Sequence, residues 1–165
     1  MRDEAGSGPS LRIRTATAAD RPRLIPVINA AYSIEKFFGG TRTDETRLAA
    51  MMEKGSILMA EEHSGRPVAT VYVELRGNRG YMGLLAVDPD RQRRGLARRM
   101  MEEAETWFRS HGCEAVDLWV LSLRPELPPL YRKFGFVETR TESFQPSRPL
   151  KPGFECHGIV MSKTL

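Results

Sequence analysis

The stretch Met82–Arg98 constrains the fold more than any other part of the chain. Its apolar run from Met82 to Val87 is too short for a helix, ends in a β-branched residue and reads as a central strand buried on both faces. Pro89 has no N–H and ends any ladder, and Gly95 opens a second, amphipathic segment. A strand, a short basic loop and a helix N-terminus therefore follow one another directly. The N–H groups from Arg93 to Ala97 lack intrahelical acceptors and lie at the positive end of the helix dipole, which makes an anion cradle. Gly95 lets a phosphate approach the backbone without a Cβ in the way. Arg91, Arg93, Arg94 and Arg98 add positive charge around it. No lysine follows the glycine, as the nucleotide-binding loop GxxxxGK[ST] requires, so the pattern speaks against an NTPase.

The rest of the chain supplies a sheet for this strand. Leu11 and Ile13 alternate with arginines as a first strand. Thr17 and Asp20 are N-cap candidates for a helix carrying Leu24, Ile25, Val27, Ile28 and Ala31, and a shorter helix bears Leu48, Met51 and Met52 up to Gly55. Ile57–Ala60, Val68–Val73 and Tyr81–Val87 form an antiparallel meander. Leu96, Met100, Ala104, Trp107 and Phe108 recur at helical spacing, with Arg98/Glu102 and Arg99/Glu103 as outward pairs. Val116–Leu121 follows as a strand, so the crossover implies a parallel pair with Met82–Val87. After an irregular entry through Pro125, Pro128 and Pro129 comes a short helix around Leu130–Phe134. Phe136–Thr141 and Cys156–Met161 are the last strands, separated by a proline-rich loop (Pro146, Pro149, Pro152) suited to covering a pocket.

Two landmarks carry a resemblance. Val87-Asp88-Pro89-Asp90-Arg91-Gln92-Arg93-Arg94-Gly95-Leu96-Ala97 and Leu130-Tyr131-Arg132-Lys133-Phe134-Gly135-Phe136 resemble the acetyl-CoA signature and the tyrosine segment of the GNAT superfamily of N-acetyltransferases. The resemblance covers roughly residues 11 to 162. It implies an α/β (α+β) fold: a mixed, mostly antiparallel central sheet with a splayed parallel strand pair and helices on both faces. It implies acetyl-CoA as cosubstrate, held by Leu85, Ala86, Val87, Gln92, Arg93, Arg94, Gly95, Leu96, Ala97 and Arg98, with the Leu85 and Val87 N–H groups freed by the splay. It places Tyr131 near the thioester sulfur, where a phenol of pKa ~10 stays protonated and can serve a departing thiolate. On its own, Tyr131 also reads as a core aromatic.

The acceptor's proton needs a base, and here the sequence departs from the family. Tyr81 stands where histone-type members carry a glutamate, which leaves Glu35, Glu74 and His157 as candidates. Arg124 stands where many members have an asparagine seven residues before the tyrosine. The expected reaction is direct acetyl transfer to a primary amine of a small molecule or peptide. The alternative is a non-catalytic acyl-CoA-binding or regulatory domain, which would need the cradle but not Tyr131.

Composition narrows the partners. With 25 Lys+Arg against 21 Asp+Glu, the surface is mixed in sign and aromatic and basic residues do not interleave, so no nucleic-acid partner is expected. Cys113 and Cys156 make neither a disulfide framework nor a metal spacing, so no metal is expected and a reduced, cytoplasmic setting is. No apolar run suits a membrane span, and a homodimer is admitted as an assembly. Residues 1–10 read as a flexible tail and 11–165 as one N-acetyltransferase domain. Deleting residues 1–10 should therefore leave the melting temperature and turnover unchanged; a marked drop in either would mean that the segment is docked.

Overall fold

The computed structural model describes residues 10–144 and 148–165. The tail expected over residues 1–10 thus falls almost wholly outside the described residues, as does Pro146. Seven strands form one sheet in the order β1-β2-β3-β4-β5-β7-β6: β1 (Arg12–Thr15), β2 (Ser56–Glu61), β3 (Pro67–Arg76), β4 (Arg79–Val87), β5 (Ala115–Leu121), β6 (Val137–Ser143) and β7 (His157–Thr164). Neighbours pair antiparallel except β4 and β5, which run parallel. The helices are α1 (Arg21–Ala31), α2 (Glu45–Lys54), α3 (Leu96–Ser110) and α4 (Leu127–Lys133). This is the mixed, mostly antiparallel sheet expected from the sequence.

Two apolar layers flank the sheet. On one face α3 supplies Leu96, Met100, Met101, Ala104 and Phe108, packed with Val71, Val73, Met82, Val116 and Leu118. On the other, Leu24 and Ile28 of α1 and Leu48 of α2 pack with Ile57, Met59, Tyr72, Leu84 and Ala86. Local chemistry fixes the helix starts. Asp20, buried just before α1, accepts from the Thr17 N–H at 2.7 Å and from both Arg14 and Arg23. Asp44 caps α2 by accepting from the Arg47 N–H at 2.8 Å. The prolines at 128 and 129 lie within the first turns of α4, where missing N–H groups cost little, so the helix begins three residues earlier than expected.

β4 is central, but it is not buried on both faces: Met82, Leu84 and Ala86 are buried while Gly83, Leu85 and Val87 are only partly so. The partly buried three line a cavity, and a β-bulge decides which face each residue presents. The register with β3 slips between Thr70 and Tyr72, and Leu84 takes a left-handed φ of 48°. Met82 faces the α3 layer, whereas beyond the slip Leu84 and Ala86 face the α1 layer and Leu85 and Val87 turn to α3. The buried Thr70 hydroxyl donates to the Leu84 carbonyl at 3.0 Å, satisfying a group at the irregularity. The outward pairs expected along α3 do not form; Glu105 instead takes Lys163 at 2.6 Å and Arg109 at 3.5 Å.

Gly80 sets how closely α3 approaches β4. A Cβ there would lie 2.4 Å from the ring of the fully buried Phe108. Gly80→Ala should destabilise the fold by about 1–3 kcal/mol, the usual cost of overpacking, read as a lower urea midpoint; an unchanged midpoint would contradict this packing account.

Candidate active site

The parallel ladder between β4 and β5 lasts only from Arg79↔Ala115 to Met82↔Leu118. Past that point the strands part, and a cavity of about 520 Å³ opens between them. One wall is Gly83, Leu85 and Val87; the opposite wall is Leu118–Leu121. In an antiparallel strand a residue's N–H and C=O point to the same edge. The Ala86 position pairs with Thr70 and the Asp88 N–H donates to Val68, so Leu85 and Val87 present their polar groups to the edge that β5 has left. Their carbonyls accept from side chains instead: Leu85 from the Tyr32 hydroxyl and Val87 from Gln92 Nε2, each at 3.2 Å.

The floor of the cleft is the turn into α3. Arg93 and Gly95 both take left-handed φ values, 64° and 76°, and the first intrahelical bond closes only at the Arg99 N–H. The N–H groups of Leu96, Ala97 and Arg98 therefore have no helical acceptor and lie at the positive end of a helix of 15 residues. The loop before it is tied down. Buried Asp88 accepts from the Asp90 N–H at 2.9 Å and from Arg66 at 3.0 Å, and Arg91 donates to Glu62 at 2.8 Å. Of the four arginines expected around the cradle, Arg91 is thus neutralised and Arg98 stacks on Phe134 at 4.9 Å. Arg93 and Arg94 are exposed, and Arg93 alone of these two lines the cavity.

Among the expected cofactor residues, Leu85, Val87, Gln92, Arg93, Gly95, Leu96, Ala97 and Arg98 line the cavity. Ala86 does not: its side chain is buried against α1 and its backbone faces β3. Tyr131 projects from α4 into the cleft and meets Phe136 edge-on at 6.1 Å. Burial pushes its phenol well above the usual value, with the nearby Tyr32 adding to the rise. Burial likewise raises Tyr32 and Tyr81, both at the same cavity.

The three base candidates have different fates. His157 is exposed at the start of β7, where its N–H donates to Ser122, and it does not line the cavity. The strand stays paired with β5 as far as Leu121↔Gly158, and Gly158 has no room for a side chain because Trp119 of β5 lies 2.0 Å from where a Cβ would be. Glu74 is paired with Arg76 at 3.0 Å, outside the cavity. Glu35 is the only carboxylate lining the cavity among the described residues. It is buried, and both oxygens are occupied: Arg124 donates to Oε2 at 2.9 Å and Arg148 to Oε1.

The far end of the cavity is built from residues that carry no local sequence signal. Arg42, Trp119, Phe144 and Arg148 line it, with Phe144 stacked on Trp119 at 5.6 Å and Arg148 over Phe38 at 4.2 Å. The described part of the proline-rich loop, from residue 148 on, is tied to the 37–39 segment. The Gly39 N–H donates to Pro149 and the Lys151 N–H to Phe37, at 2.8 and 2.9 Å. The proline pattern signalled a cover; nothing local signalled that Arg124 and Arg148 would share Glu35 across 89 and 113 residues.

The family model described as the acetyltransferase (GNAT) family matches residues 26–136. A mycothiol acetyltransferase of Propionibacterium freudenreichii is 24% identical over 140 residues, 80% of this chain and 45% of that protein. A mycothiol acetyltransferase of Clavibacter sepedonicus is 28% identical over 99 residues, 60% of this chain and 33% of that one. The chain thus spans less than half the length of these curated relatives. Among solved structures, the ribosomal-protein-S18-alanine N-acetyltransferase of Escherichia coli superposes with a TM-score of 0.72 at 22% identity, covering 94% of both chains. A GNAT family acetyltransferase of Elizabethkingia anophelis with acetyl-CoA bound gives 0.74 at 14% identity, covering 94% of this chain and 98% of that one. At such identities these likenesses establish the shared fold.

Removing the Glu35 carboxylate would leave the buried Arg148 without a carboxylate partner and Arg124 with only the exposed Glu126. Glu35→Ala should cost roughly 3–5 kcal/mol, as breaking buried ion pairs does. Urea unfolding measures it, and a loss of under about 1 kcal/mol, the worth of a surface pair, would mean that the cluster is solvated.

Proposed function

The chain belongs to the acetyltransferase (GNAT) family, and from that premise we propose that it moves the acetyl group of acetyl-CoA directly onto a primary amine of a small molecule or peptide. The observation that carries this reading is the cleft itself: β4 and β5 part over the α3 N-terminus, and Tyr131 faces the opening. The chain's own groups fit the cosubstrate. The N–H groups of Leu96, Ala97 and Arg98 suit a pyrophosphate, and the vacated edge at Leu85 and Val87 suits an extended amide-bearing arm that adds like a strand. Arg93, exposed and in a left-handed conformation at the turn, supplies positive charge beside it.

In this reading the N–H groups of the β4 edge also stabilise negative charge as it builds on the acetyl carbonyl oxygen. Tyr131, held protonated by its burial, donates to the departing thiolate. Neither cysteine offers a covalent relay. Cys113 and Cys156 do not line the cavity, and burial raises both thiols, which disfavours the nucleophilic thiolate. Glu35, bound on both oxygens, serves as the anchor of Arg124 and Arg148 rather than as the base, and the acceptor gives its proton to water at the cleft mouth. The alkaline rise in kcat/KM then follows the acceptor's own ammonium pKa and moves when acceptors of different basicity are compared.

Tyr131→Phe removes the hydroxyl and keeps the ring. Acetyl-CoA affinity by calorimetry should hold, while kcat falls by about 10²-fold, the low end for a general acid, because a thiolate leaves readily. Unchanged kcat would return Tyr131 to the status of a packing aromatic and favour a binding domain.

A further inference from the structure

Resting on the acetyl-transfer reading above, we infer that the amine acceptor carries an oxyanion, a carboxylate in the simplest case, which docks on Arg42 at the end of the cavity away from α3. The charged groups at that end do not balance. Three guanidiniums are there, Arg42, Arg124 and Arg148, with two carboxylates, Glu35 and Glu126. Arg124 takes both, bonding Glu35 at 2.9 Å and Glu126 at 2.6 Å, and Arg148 shares Glu35. Arg42 has no carboxylate partner among the described residues. Its guanidinium lies over the Tyr32 ring, 5.0 Å from the centroid, and lines the cavity.

The backbone that carries Arg42 is unusually well fixed for a loop. Asn29 of α1 holds Thr43 at both ends, donating to its carbonyl at 3.1 Å and accepting from its N–H at 2.9 Å. Arg47 of α2 donates to the carbonyls of Thr41 and Arg42 at 3.1 and 3.2 Å, and its own charge is taken by Asp44. A preordered, half-buried and unmatched guanidinium facing a cavity matches a planar oxyanion, which it can bind through two parallel N–H donors. Stacking on Tyr32 sets the plane of that fork. Tyr32 in turn bonds the Leu85 carbonyl, so one aromatic ring separates the anion site from the β4 edge. The same unmatched positive charge repels acceptors whose only charges are ammonium groups, so polyamines are selected against.

The test pairs acids with their amides. Initial rates of CoA release are measured with the proteinogenic α-amino acids, β-alanine and γ-aminobutyrate, each beside its carboxamide, and with spermidine. At least one acid should exceed its own amide in kcat/KM by roughly ten- to a hundredfold, the worth of a charge-assisted hydrogen-bond pair. Arg42→Gln should collapse that ratio towards one by raising KM for the acid, with the KM for acetyl-CoA and the melting temperature unmoved. Arg42→Lys should fall between. The inference is overturned if amides or spermidine match the acids, if Arg42→Gln leaves the ratio intact, or if no acid is acetylated by protein that calorimetry shows to bind acetyl-CoA. Failure to bind acetyl-CoA at all would instead remove the acetyl-transfer reading and this inference with it.

Discussion

Everything about the cleft depends on β4 leaving β5 after four paired residues. Parallel neighbours in a sheet interior normally stay bonded along their length, because a buried unpaired N–H or C=O is costly. Here the bulge at Leu84 reverses which face each following residue presents, and the edge that β5 abandons is exposed to a cavity instead of being buried in apolar surroundings. Thr70, Tyr32 and Gln92 take up carbonyls along the irregular stretch. The polar edge is thereby affordable to the fold and available to a ligand.

A second constraint sits opposite. The wall formed by residues 32–42, the entry to α4 and the 148–151 segment is joined by one carboxylate, Glu35, held by Arg124 and Arg148. A buried ion pair is a weak source of net stability, but it is directional, and losing one member is severe. The cluster therefore locks three distant segments in a single arrangement around the acceptor end, and it leaves the nearby Arg42 as the unbalanced charge. Burial, together with the positive charge of Arg42, pulls Arg148 below the ordinary arginine value, against the opposing pull of Glu35.

The meander, the crossover helix and the strand-loop-helix turn were legible because each is encoded locally, by alternation, by 3.6-residue spacing, by Pro89 and by Gly95. Burial on both faces was not a safe reading of Met82–Val87, since an apolar run cannot reveal a bulge or a cavity beside it. Tyr131 lies on the cleft wall. His157 does not, because its place is set by pairing with Ser143 of β6 and by its N–H bond to Ser122, partners distant in sequence that no local pattern carries. Glu35 was visible as a lone acid among aromatics, but its partners lie far along the chain, so its bound state could not be read. Arg42 sits in an irregular loop whose order comes from Asn29 and Arg47, and loops held by side chains leave little periodic signal.

Amide hydrogen exchange with and without acetyl-CoA, read residue by residue, tests the central claim most directly. The account predicts added protection at Leu85 and Val87 on the vacated β4 edge and at Leu96, Ala97 and Arg98 on the α3 N-terminus, with Ala86, already facing β3, unchanged. Binding of acetyl-CoA without protection at these amides would contradict it.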